Sequence, residues 1–139
     1  MPGNVHELRT RTAETEKITI NLGFVDLGRI DLLVQEGFYS NRSDFIRTAI
    51  RNQLDRHIEA VNQSVARRHL DLGLREYGRR DLETVRAANE MLHIQVIGLA
   101  VIAADVSPEL ARATIASIDV LGALQASPAV KTALSDRIR

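Results

Sequence analysis

The segment Lys17-Ile18-Thr19-Ile20-Asn21-Leu22 alternates polar and apolar residues without a break. In an extended chain, successive side chains point to opposite faces. Ile18, Ile20 and Leu22 then share one face, and Lys17, Thr19 and Asn21 share the other. One short strand with an apolar face is not stable alone. No second alternating segment lies nearby, and the sequence from about Val25 to His57 reads as helix. The simplest partner is the same strand of a second copy of the chain.

The helical reading rests on spacing. Leu27, Ile30, Leu33 and Val34 mark one helix face, and Gly37 is a stop signal just beyond it. Phe38 and Tyr39 are expected to be turn residues whose rings cover the edge of the core. Ser40 or Asn41 can cap the next helix, with Asp44 in its first turn. Phe45, Ile46, Ala49, Ile50, Leu54, Ile58 and Val61 continue an apolar face, so this helix is expected to run on towards Ala66.

The geometry has a use. Two such strands paired antiparallel put their polar faces on one side, and a two-stranded ribbon fits the DNA major groove. Lys17 can donate to guanine, Asn21 can make two bonds to adenine, and Thr19 can bond either way. The free amides at Asn41 and Arg42 can hold a phosphate, with the Arg42 charge beside them.

Residues 17 to about 57 resemble the ribbon-helix-helix family of DNA-binding proteins (the MetJ/Arc/CopG superfamily). The matching features are KITINL, the helix around RIDLLVQEG, and the turn into YSNRSDFIRTAI, in that order. The resemblance covers about a third of the chain. It implies an obligate homodimer in which Lys17, Thr19 and Asn21 read bases and Ser40, Asn41, Arg42 and Ser43 clamp the DNA backbone. One departure is Gly23-Phe24, where the family commonly has proline.

The remaining sequence is organised around this unit. Residues 1–15 are polar and read as a flexible arm, in which Arg9 and Arg11 either reach a phosphate backbone or stay solvated. Arg67, Arg68, Arg75, Arg79 and Arg80 face only Asp71 and Glu76, with Gly73 and Gly78 between them. This reads as a basic hinge over 67–80, following a DNA-binding domain over 16–66. In the C-terminal domain, 81–139, Ile94 to Leu99 echoes Ile118 to Ala123. Each is followed by Ser-Pro, a helix start: Ser107-Pro108 and Ser127-Pro128. The pattern predicts a helix over 81–91, then strand, helix, strand, helix, with the strands parallel. Two copies are too few for a repeat array. Two strands also make a thin sheet, which dimerisation is expected to complete. The expected fold class is therefore α+β: a ribbon-helix-helix with one strand per chain, plus a small C-terminal α/β oligomerisation unit.

Charge and composition narrow the functions. The 18 basic and 18 acidic residues cancel, so any DNA contact must come from local geometry. There is no cysteine, hence no disulfide or thiolate site. His6, His57, His69 and His93 are scattered without ligand spacing. Glu83, Glu90, Asp105, Glu109 and Asp119 form no catalytic set. Gly98 and Gly122 lie inside apolar strands and mark close backbone approach rather than a phosphate loop. Neither catalysis, nor a cofactor, nor a metal is expected. No apolar run has membrane-spanning length, and the N-terminus lacks a signal peptide's apolar region, so a cytoplasmic protein is expected.

The function expected is a sequence-specific transcriptional regulator, a repressor or autoregulator. Its dimers would join into tetramers or larger assemblies through the C-terminal unit. The alternatives are an antitoxin whose C-terminal part binds a toxin, a partition or nucleoid-organising DNA-binding protein, and an assembly protein that uses the ribbon only as a dimer seam.

Overall fold

The computed structural model describes residues 14–139. The arm's Arg9 and Arg11 lie outside the described residues. The chain divides into two compact units, one over 15–64 and one over 65–139.

The first unit is helical. α1 (Phe24–Gln35) is followed by α2 (Arg42–Arg56) and α3 (Ile58–Arg68). α1 ends where Gly37 adopts φ of 87°, a left-handed conformation natural to glycine. The amides of Gly37 and Phe38 close back on the carbonyls of Val34 and Leu33, at 3.1 and 3.0 Å, so the last turn is sealed by its own backbone. Tyr39 packs edge-on against Phe45, with ring centroids 5.0 Å apart. Phe38, expected to cover the core, is instead 71% exposed in the single chain. The helix expected to run from Asn41 towards Ala66 is interrupted at His57, which separates α2 from α3. The boundary between the two units falls inside α3.

The second unit alternates strand and helix. β1 (Asp71–Tyr77), α4 (Arg79–Ala87), β2 (Leu92–Ile102), α5 (Pro108–Thr114), β3 (Ile115–Gln125) and α6 (Pro128–Ala133) follow one another. The sheet has the order β1-β2-β3 and is parallel throughout. Both Ser-Pro starts are as the sequence implies. The Ser107 and Ser127 hydroxyls accept from the amides of Leu110 and Val130, at 3.1 and 3.2 Å. Where the residue at the cap is Gly78, the Asp81 carboxylate accepts the Gly78 amide instead, at 2.8 Å.

The expected hinge over 67–80 is corrected here. Asp71–Tyr77 is a strand, and it pairs with β2 along its whole length. The pair of strand-helix copies is accordingly a set of three. Gly73, Gly98 and Gly122 are register partners across the sheet. All three have positive φ, at 118°, 137° and 118°. A Cβ on Gly98 would collide with the Gly73 carbonyl, and one on Gly122 with the Gly98 carbonyl. The row of glycines is therefore what lets three turns of chain stack at this level.

Helices from all three turns share one core. Leu82 of α4, Leu110 of α5 and Val130 of α6 pack with Ile94, Val96 and Ile118 of the sheet. Parallel strands joined by right-handed crossovers in the order 1-2-3 put every helix on the same face. Thr114, the buried polar residue of this core, donates its hydroxyl to the Leu110 carbonyl at 2.7 Å. The C-terminal segment closes part of the β3 edge: the Ile118 amide donates to the Arg137 carbonyl, and the Arg139 amide to the Ile118 carbonyl. The Arg137 guanidinium also donates to the Ile115 carbonyl at 2.7 Å, at the C-terminal end of α5 where a cation is favoured.

Candidate nucleic-acid interface

Lys17 to Leu22 has no strand to pair with among the described residues, and all six of its side chains are exposed. For Lys17, Thr19 and Asn21 this is ordinary. For the opposite face it is not: Ile18 is 73% exposed and Ile20 58%. The rest of the unit is equally incomplete. Ile30 is its one buried apolar residue, and α2 has none. Ile20, Leu22, Ile30, Leu33, Phe45 and Ile46 border an apolar cleft of about 540 Å³. A unit of this length, with a single buried apolar side chain, has too little core to hold itself together.

The start of α2 lies after the Gly37 turn. The Asn41 side chain accepts the Asp44 amide at 2.8 Å, and the Asp44 carboxylate accepts the Ser40 amide at 2.9 Å. These two bonds secure the helix start reciprocally, the second reaching the residue before the cap. The amides of Arg42 and Ser43, in the first turn, have no helical acceptor by position. They are the groups left to face an anion.

The Arg42 side chain is placed differently from the sequence expectation of a backbone clamp. Its guanidinium makes a two-pronged contact with Asp31 of α1, with Nε and Nη2 each 2.8 Å from a carboxylate oxygen. This hydrogen bond holds the Asp31 carboxyl below its usual range and raises the Arg42 guanidinium. In the single chain Arg42 therefore ties α1 to α2, and its charge is matched. Asp31 is a residue that sequence reasoning missed. The pairing joins two helices across a turn, eleven residues apart, and no local spacing rule reports it.

The unit is not basic. Within residues 15–64, Lys17, Arg29, Arg42, Arg47, Arg51 and Arg56 are offset by Glu16, Asp26, Asp31, Glu36, Asp44, Asp55 and Glu59. The structure thus brings Ser40, Asn41, Arg42 and Ser43 together at one helix start and leaves Lys17, Thr19 and Asn21 on an exposed segment. Among the described residues no helix is long and apolar enough to cross a membrane.

Comparison with known proteins agrees with the resemblance of the N-terminal part and extends it. The model of the Ribbon-Helix-Helix transcriptional regulator family matches residues 13–131. The match covers the alternating segment, the helices after it and nearly all of the three-turn unit. Neither curated proteins nor solved structures gave a match. The exposed alternating segment, the two helices with an unfilled cleft between them, and a family match over most of the chain lead to one assignment: this chain belongs to the ribbon-helix-helix family of transcriptional regulators.

Proposed function

We propose that the protein is a sequence-specific DNA-binding repressor or autoregulator that acts as a homodimer. The observation that carries this reading is the Lys17 to Leu22 segment, exposed on both faces beside a unit with one buried apolar residue. Pairing it antiparallel with its copy removes both deficits. The apolar face and the cleft close against the second chain, and the polar face becomes the outside of a ribbon.

That ribbon enters the major groove. Lys17, Thr19 and Asn21 of each chain reach base edges, where each good contact is worth roughly 1–3 kcal/mol of discrimination. The Arg42 and Ser43 amides at the start of α2 hold a phosphate on each side and fix the register. Ser40 and Asn41 support this indirectly, by shaping the helix start. The folded three-turn unit, with its own buried core, weighs against an antitoxin, whose partner-binding segment commonly folds only on binding. It fits a unit through which copies of the chain associate.

The test replaces Lys17, Thr19 and Asn21 with alanine together. Operator fragments are first selected from random DNA with the wild-type protein. The variant should remain dimeric and lose at least about 100-fold in specific affinity, as the loss of several base contacts requires. A dimeric variant that binds the selected DNA as tightly as wild type sinks the proposal.

A further inference from the structure

The helices of the three-turn unit all pack on one face of its sheet, and the opposite face carries two apolar rows between polar ones. Leu72, Ile97 and Leu121 form one register row, and Leu74, Leu99 and Ala123 the next. None of the six belongs to the buried helix-side core. Its outer strands are open, with Leu72 65% exposed, Leu74 45% and Leu121 44%, while Leu99 on the central strand is 9% exposed and Ile97 and Ala123 are half-buried. Parallel sheets are ordinarily covered on both faces. Here the cover stops at one end, where Leu70 is buried and Arg68 reaches Asp119 at 3.0 Å.

We propose that this face packs against the same face of a second copy of the chain, making a two-layered sheet across the interface. Three arguments choose this occupant. The chain's own segment outside the described residues, 1–13, is mostly polar, with His6, Glu7, Arg9 and Arg11, and does not suit an apolar sheet. The face suits itself, because its two central rows carry no charge and Asp119 is already matched by Arg68 of its own chain. Either two-fold axis that brings the faces together keeps Glu76, at the rim of β1, away from its own copy. One axis sets β1 over β3, and the other reverses the strand direction.

The third argument is area. Three strands about 4.8 Å apart and about five residues of 3.3 Å rise make roughly 240 Å² per copy, or about 500 Å² for the pair. A stable independent interface needs on the order of 1,200 Å². The face is thus too small to join free chains, and large enough to join chains already linked elsewhere, where linkage raises the effective concentration. The proposed ribbon dimer supplies such a link. The inference rests on that reading for its strength and not for its geometry.

The chain has no cysteine, so a single introduced thiol reports its own surroundings. The full-length Leu121→Cys protein, treated with a short bis-maleimide, should form covalent dimers at micromolar concentration. Adding Leu72→Glu should reduce that yield at least tenfold, with the circular dichroism unchanged. A Leu121→Cys protein that does not cross-link, or one that cross-links equally with Leu72→Glu present, overturns the proposal. The Lys17, Thr19 and Asn21 alanine substitutions in the Leu121→Cys background separate the two readings. Loss of DNA binding with cross-linking retained supports both, whereas DNA binding that survives those substitutions sinks only the assignment of base contacts to Lys17, Thr19 and Asn21. Cross-linking of a different protein, in place of the second copy, overturns the self-association.

Discussion

Ile20→Ala is the sharpest probe of the proposed dimer, because the required burial can be worked from the single chain. Ile20 is 58% exposed and borders the apolar cleft beside α1 and α2. Truncation to alanine removes three carbons, each worth about 0.8 kcal/mol when fully buried. Only the exposed fraction is available to the partner, so the loss is about 1.4 kcal/mol per chain. A symmetric dimer contains the change twice, which gives about 2.8 kcal/mol, or roughly 100-fold in the dissociation constant. Any cavity left behind adds to this. Sedimentation equilibrium over a range of concentrations measures it directly. Thr19→Ala is the matched control, since its side chain belongs to the opposite face and its loss should spare the dimer. A dimer constant for Ile20→Ala within threefold of wild type would refute the assignment of this face to the subunit seam.

Asp31→Asn removes the carboxylate that holds Arg42, and should strengthen DNA binding. A freed guanidinium at each end adds up to about 0.9 per phosphate contact to the slope of log affinity against log salt, or about 1.8 per dimer. An unchanged slope would mean that Arg42 is not near DNA. The Asp31 carboxyl should titrate below its usual range, because Arg42 bonds its charged form. With the folded value lowered, the tie is fully present above the unfolded value, near 3.9, and is lost as the pH falls through the folded value. Carbon-detected NMR of Asp31 should show this, and Arg42→Ala should return the titration to the usual range. Gly98→Ala meets the Gly73 carbonyl and a strained φ together, and should cost more than about 3 kcal/mol in chemical denaturation. Gly73→Ala meets only the Arg75 side chain at 3.9 Å and should cost the backbone strain alone, about 1–3 kcal/mol. Equal costs at the two positions would contradict the glycine row.

The parts of the molecule that were legible in sequence are those set by local rules. The Gly37 stop, the Asn41 cap, the two Ser-Pro starts and the parallel pairing of Ile94 with Ile118 each follow from a few adjacent residues or a repeated pattern. The Arg42–Asp31 pair was hidden because it is a tertiary contact between two helices. It bears on the proposed interface, because the charge expected at the DNA backbone is already matched within the chain.

β1 was hidden for a different reason. The strands β2 and β3 have apolar residues on both faces, and such runs are easy to see. β1 is an edge strand, and Asp71, Arg75 and Glu76 make it polar on both faces, as edge strands commonly are. With two glycines and five arginines in or beside it, its composition is that of a linker. The signal that identifies it is the apolar-Gly-apolar triplet: Leu72-Gly73-Leu74 matches Ile97-Gly98-Leu99 and Leu121-Gly122-Ala123. The intervals between the glycines, from 73 to 98 and from 98 to 122, differ by one residue. Steric necessity makes the triplet informative, because a side chain at Gly98 or Gly122 would strike the carbonyl of the preceding turn. The same triplets place the flanking Leu72, Leu74, Ile97, Leu99, Leu121 and Ala123 in two rows on the face away from the helices. The pattern that permits three turns to stack therefore also creates the apolar surface that a second copy is proposed to cover.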